Sequence, residues 1–163
     1  VNGGGINSAE PFLDIEESKW DNVIDSQLTA TFLGCQVFGR HMLENSHGSI
    51  INISSASAGP ALSKAFAYSA AKAGIKNLTQ NLGREWGKSG VRVNAIRPGF
   101  FPTELTASVF ANEALANQNA NQTCIGRNGT MDDLTGPVQF LCSNASAYIT
   151  GQTLYVDGGF TAK

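Results

Sequence analysis

Tyr68 and Lys72 stand four residues apart in Ala67-Tyr68-Ser69-Ala70-Ala71-Lys72-Ala73-Gly74, a segment whose pattern predicts a helix. Positions i and i+4 share one helix face, so the phenol and the ammonium can approach each other. A free tyrosine titrates near ~10 and is a poor acid–base catalyst at neutral pH. A neighbouring cation favours the phenolate and lowers that value, which is the tuning that general acid–base chemistry requires. Alone, the pair also describes an ordinary helix surface with an aromatic and a solvated lysine. Its meaning depends on what surrounds it.

Upstream lies Gly48-Ser49-Ile50-Ile51-Asn52-Ile53-Ser54-Ser55. The apolar, β-branched run predicts a buried strand over 49–54. Its end opens where ligands bind in open α/β sheets, outside the carboxyl ends of the strands. A hydroxyl at Ser55 can exchange a hydrogen bond with a substrate oxygen, or it can merely cap the chain.

Taken together, these residues resemble the short-chain dehydrogenase/reductase family. Tyr68-Ser69-Ala70-Ala71-Lys72 matches the family's Tyr-x-x-x-Lys, and the family's serine, thirteen positions before the tyrosine, falls on Ser55 rather than Ser54. Further signatures follow in family order. Asn2-Gly3-Gly4-Gly5 is an altered form of the Asn-Ala-Gly strand end. Val91 to Ile96, then Arg97-Pro98-Gly99, matches the strand and turn after the catalytic helix, with Thr103 at the threonine position beyond. Ile125-Gly126-Arg127 and Thr150 to Gly159 match the C-terminal signatures.

The resemblance implies hydride transfer between a nicotinamide cofactor, NAD or NADP, and an alcohol or carbonyl. Tyr68 would be the acid–base group and Ser55 would hold the substrate oxygen. Lys72 would lower the tyrosine's pKa and bind the nicotinamide ribose. Pro98, Gly99 and Thr103 would border the nicotinamide, and Asn2 and Gly3 would lie near the adenosine side through their backbone. The stretch Pro98 to Glu104 is similar to members acting on sugar acids and polyols. The family's fourth catalytic residue, an asparagine that helps hold a water in a proton relay, is replaced by Gln27 in Gln27-Leu28-Thr29-Ala30-Thr31-Phe32. The extra methylene would shift that water, or Gln27 is an ordinary helix residue.

The family's first strand and its Thr-Gly-x-x-x-Gly-x-Gly phosphate loop have no counterpart in these 163 residues. That loop brings backbone N–H groups and a helix N-terminus to a pyrophosphate. Val1-Asn2 resembles the tail of the family's fourth strand. The expectation is therefore a single domain, 1–163, forming the C-terminal portion of a Rossmann-like, doubly wound parallel sheet, about strands four to seven. Its alternative is a truncated, inactive chain that acts only by oligomerising.

The elements that position these residues follow from pattern. Residues 16–45 predict one long helix, with Trp20, Val23, Ile24, Leu28, Phe32 and Cys35 recurring at helical spacing. Residues 64–88 predict a second, closed by Gly90, and 91–96 a strand stopped by Pro98-Gly99. Residues 103–122 are polar and weakly helical, suited to a lid over the substrate. A helix from Asp132 to about 142 and a strand at 152–156 complete a βαβ pattern. The two long helices match the surfaces through which family members form homodimers and homotetramers.

Composition narrows the partners. Apolar residues make up 42%, too many for a disordered chain. A net charge of -2 gives no basic patch for nucleic acid, and no apolar run reaches the ~18 residues of a membrane span. Cys35, Cys124 and Cys142 are far apart, show no metal spacing, and are expected as buried thiols in a reducing, cytoplasmic setting. His41 and His47 flank a helix end, where a cation suits the dipole.

Overall fold

A computed structural model describes residues 1–59 and 62–162. The expected domain 1–163 includes Pro60, Ala61 and Lys163, which lie outside the described residues. Among those described, three parallel strands, β1 Gly48–Ile53, β2 Val91–Pro98 and β3 Thr153–Val156, lie side by side in sequence order. Asn2 extends the sheet beyond β1 as a single parallel bridge to Asn52. Its N–H donates to the Ile51 carbonyl at 2.8 Å and its carbonyl accepts from Ile53 N–H at 2.9 Å. The expected partial Rossmann-like architecture is the one observed.

Helices cover both faces. The first long helix runs as α1 Glu17–Ile24, a π-helical turn Asp25–Thr29, and α2 Ala30–Glu44. The second is α3 Phe66–Trp86. Alternation along the strands separates two cores. Ile50, Val91 and Val93 pack with Cys35, Met42, Leu82 and Trp86 beneath α2 and α3. Ile51 and Ile96 pack with Leu134, Val138 and Leu141 of α6, Asp132–Cys142, on the other face. Parallel strands buried on both sides need such near-continuous apolar runs.

Two buried asparagines fix the register between segments. Asn52 donates to Thr79 Oγ1 at 3.0 Å and accepts from Asn2 Nδ2 at 2.9 Å. Asn94 donates to the Ile149 carbonyl at 2.9 Å and accepts from Gln152 N–H at 3.0 Å. Satisfied polar groups of this kind specify one packing where apolar contact alone would allow sliding. Past the end of α3, Gly90 takes φ 79°, the left-handed conformation that closes helices.

Two expectations are corrected, for Phe32 and for the cysteines. Phe32 was assigned to the buried stripe and is 45% exposed, because the π-turn changes the helix phase just before it. The 103–122 segment is weakly helical as expected: a 3-10 turn, Glu104–Thr106, and two short helices, α4 Ala107–Phe110 and α5 Glu113–Ala120. Cys35 is buried, but Cys124 and Cys142 are exposed. Cys142 ends α6, and Cys124 sits in a turn with its thiol donating to the Gly159 carbonyl.

Candidate active site

The carboxyl ends of β1 and β2 open into a cleft of about 480 Å³, within the usual range for small-molecule sites. Ser55, Tyr68 and Lys72 all line it, as do Gln27, Pro98, Gly99 and Thr103. A second hollow of about 310 Å³, bordered by Arg127, Asp133 and Asp157, includes none of these seven.

Ser55 is extended and caps the 3-10 turn Ala56–Ala58. Its Oγ accepts from Ser57 N–H at 3.2 Å and from Ser57 Oγ at 3.1 Å. A hydroxyl has two acceptor sites and one proton. Ser57 fills the first two, which leaves the Ser55 proton to be donated. Sequence reasoning missed Ser57; its only signal is a second hydroxyl two residues on, where an ST-turn closes. Ser54, by contrast, is buried and donates to the Lys72 carbonyl at 2.9 Å, so it anchors the helix.

Lys72 is 3% exposed, and its Nζ donates to the Ile53 carbonyl at 2.9 Å. An ammonium has three donors, so two remain. Desolvation pulls its pKa down to about 8. Lys72 Nζ stands 5.5 Å from the Tyr68 ring centroid. The phenol nevertheless titrates above its ordinary value: burial raises it and a hydrogen bond with Ser55 opposes the rise. The expected lowering by Lys72 is not what this arrangement gives. Burial penalises both charged forms, and Ser55 rather than Lys72 provides the counterweight.

Gln27 is 2% exposed and sits on the π-helical turn, a device frequent at functional sites. Its Nε2 donates to the Ile6 carbonyl at 2.8 Å, and its main-chain carbonyl accepts from Thr31 Oγ1 at 2.7 Å. Its Oε1 is buried without a partner among the described residues. Thr103 caps the turn Glu104–Thr106 in a capping box, its hydroxyl 3.0 Å from that of Thr106.

Asn2 and Gly3 do not line the cleft; Gly4 and Gly5 do. Asn2 pairs its backbone with Ile51 and Ile53 of β1, and its Nδ2 donates to Asn52 Oδ1. Gly5 has φ 124°, and an added Cβ would collide with the Gln27 amide. No sequence pattern distinguishes the second and third glycines from the first.

Comparisons with known proteins agree with this fold. A family model described as enoyl-(acyl carrier protein) reductase matches residues 1–161. Gluconate 5-dehydrogenase of Gluconobacter oxydans is 35% identical over 161 residues, 99% of this chain and 63% of the relative. The 2-dehydro-3-deoxy-D-gluconate 5-dehydrogenase of Bacillus subtilis is 37% identical over 163 residues, 100% of this chain and 64% of the relative. The crystal structure of a gluconate 5-dehydrogenase from Burkholderia cenocepacia, in complex with NADP and tartrate, superimposes with TM-score 0.96 at 34% identity. It covers 99% of this chain and 64% of that one. The chain thus spans under two thirds of the length of these relatives. With the serine, tyrosine and lysine on one cleft at the end of a parallel sheet, it belongs to the short-chain dehydrogenase/reductase family.

Proposed function

We propose that this protein interconverts a secondary alcohol and a ketone with NAD or NADP, as one Rossmann-like domain. The observation that carries the reading is the Ser55 hydroxyl, its acceptor sites filled by Ser57, beside Tyr68 on the same cleft wall. In reduction, Ser55 donates to the carbonyl oxygen and Tyr68 passes it the phenolic proton. In oxidation, the same tyrosine recovers that proton.

The cleft suits the nicotinamide end of a dinucleotide. Lys72 has two uncommitted donors there, Gln27 Oε1 is a buried acceptor in need of one, and an added Cβ at Gly4 would meet nothing within 4 Å. Lys72, Tyr68, Pro98, Gly99 and Thr103 would hold that end, with Gly4 and Gly5 beside it. Bound, the dinucleotide supplies the hydride chemistry. Gln27 would contribute to the proton relay through Oε1.

A sugar acid or polyol is the substrate class that the relatives' names support. Thr103, Glu104 and Thr106 add hydroxyl-binding groups to the wall. Leu33, Val37 and Phe38 on α2 are exposed apolar side chains, which supports a homodimer or homotetramer through the long helices. No helix among the described residues is long and apolar enough to cross a membrane, and we place the protein in the cytoplasm.

The test is Tyr68→Phe in the full-length protein, assayed with NAD and NADP on gluconate-type substrates. Turnover should fall by about 10²–10⁴-fold with the fold retained. A near-wild-type rate would sink the assignment. Association without catalysis, the reading favoured by the exposed α2 face alone, would instead show no turnover in either protein.

A further inference from the structure

Arg97, one residue before Pro98 on β2, is a buried, fully engaged cation that has no part in the chemistry above. It is 2% exposed. Its Nε donates to the Ser55 carbonyl at 2.7 Å, its Nη2 to the Ala56 carbonyl at 2.8 Å, and its Nη1 to the Tyr155 hydroxyl at 2.5 Å. The guanidinium also lies over the Tyr155 ring, 4.6 Å from the centroid. Among the described residues the ion pairs are Lys19–Glu10 and Arg127–Asp133, and no carboxylate pairs with Arg97.

We propose that Arg97 is a positioning residue for Ser55: its guanidinium fork fixes the backbone that carries the serine, with Tyr155 as the backstop. The proposal rests on the catalytic role given to Ser55 above. A buried cation without a counter-ion is costly unless hydrogen bonds satisfy it. Here two of them end on consecutive carbonyls, Ser55 and Ala56, at the start of the turn that sets the Ser55 hydroxyl. Two carbonyls held from one planar group leave that peptide little freedom to rotate. A lysine would keep the charge and lose the fork, because an ammonium is a point donor on a flexible stem.

The backstop is equally specific. Arg97 and Tyr155 are register partners across β2 and β3. Tyr155 receives the guanidinium on both its ring face and its hydroxyl, so the third strand sets the angle at which the fork meets the serine turn. On the opposite side, a Cβ added to Gly59 would stand 2.8 Å from Arg97 Nη2. The guanidinium is therefore enclosed between β3 and the loop it holds.

The experiment is a double-mutant cycle in the full-length protein, with steady-state turnover as the readout. If Arg97 acts through Ser55, Arg97→Lys lowers kcat by about 10–100-fold, the scale of a misplaced catalytic group. The cofactor KM stays within about twofold. In a Ser55→Ala background the same substitution costs less than about threefold, since nothing remains to be positioned. Equal losses in both backgrounds would overturn the proposal, as would a kcat for Arg97→Lys above half that of wild type. Should Arg97→Lys fail to fold, Tyr155→Phe decides. It keeps the ring and should lower kcat by about two- to fivefold, an effect absent in Ser55→Ala; an unchanged kcat overturns the proposal. Tyr68→Phe is the control: if it turns over normally, the catalytic reading fails and this proposal with it. A dead Tyr68→Phe with a fully active Arg97→Lys isolates the failure to Arg97.

Discussion

Replacing Lys72 with methionine should flatten the dependence of stability on pH. In the folded protein burial brings the ammonium's pKa down to about 8, against the ordinary lysine value of 10.5 in the unfolded chain. Between those values the unfolded state binds more protons, so stability rises with pH. The lysine's contribution is fully present above the unfolded value and is lost as pH falls through the folded one. Below pH 8 the buried charge costs roughly 3 kcal/mol, and the linkage integral from pH 7 to 9.5 recovers roughly 2 kcal/mol of that.

The raised pKa values of Cys35 and Tyr68 pull the opposite way at the alkaline end. Both groups are present in Lys72→Met and cancel in the difference. At pH 7 the variant loses the donor to Ile53, which offsets part of its gain by about 1–3 kcal/mol. The slope, not the absolute value, is therefore diagnostic. Urea unfolding at half-unit steps from pH 7 to 9.5 measures it. Parallel curves for wild type and variant would show that Lys72 is not held as a buried, destabilised cation.

Three further outcomes follow from the same geometry. Ser55→Ala should move the alkaline limb of alcohol oxidation to higher pH, because its hydrogen bond is what opposes the burial of the Tyr68 phenol; a limb at the same pH contradicts this. Gly5→Ala should destabilise by at least about 1–3 kcal/mol, the cost of forcing a side chain into a φ of 124°. An unchanged urea midpoint refutes it. Val37→Glu, on the exposed α2 face, should shift the sedimentation coefficient toward the monomer, and an unshifted boundary removes α2 from the interface.

Much of the site was legible because its signals are local. Tyr68 and Lys72 share a helix face by spacing alone, and Ser55 follows a β-branched apolar run that reads as a buried strand. The C-terminal glycine signatures marked a last strand at 152–156, which the structure pairs with β2. What escaped depended on departures from regular periods or on long-range contacts. The buried positions of the first long helix are Val23, Gln27, Thr31, Cys35 and Gly39, a strict four-residue step. An α-helix has 3.6 residues per turn and drifts off such a step. The wider turn at Asp25–Thr29 takes up part of the drift, and a reading at constant period puts Phe32 inside. Asn2 shows the other limit. Its residue type suits a ligand contact, and spacing does not show that its backbone pairs with Ile51 and Ile53 while its Nδ2 donates to Asn52. The direction of the Tyr68 shift was misread because spacing shows a cation nearby and says nothing of how far both groups are withdrawn from water.

The Arg97 fork also bears on the order in which the protein becomes itself. It joins Arg97 to the Ser55 carbonyl across 42 positions of chain, and to Tyr155 across 58. Contacts of such separation form late, because loop closure must precede any gain from them, and parallel strand pairing is slow for the same reason. The helix carrying Tyr68 and Lys72 can form early from local contacts. The serine turn takes its final shape only when β2 and β3 have docked. A refolding chain should therefore recover its helical signal well before its competence for chemistry, and the last strand acts as the clock for the first catalytic group.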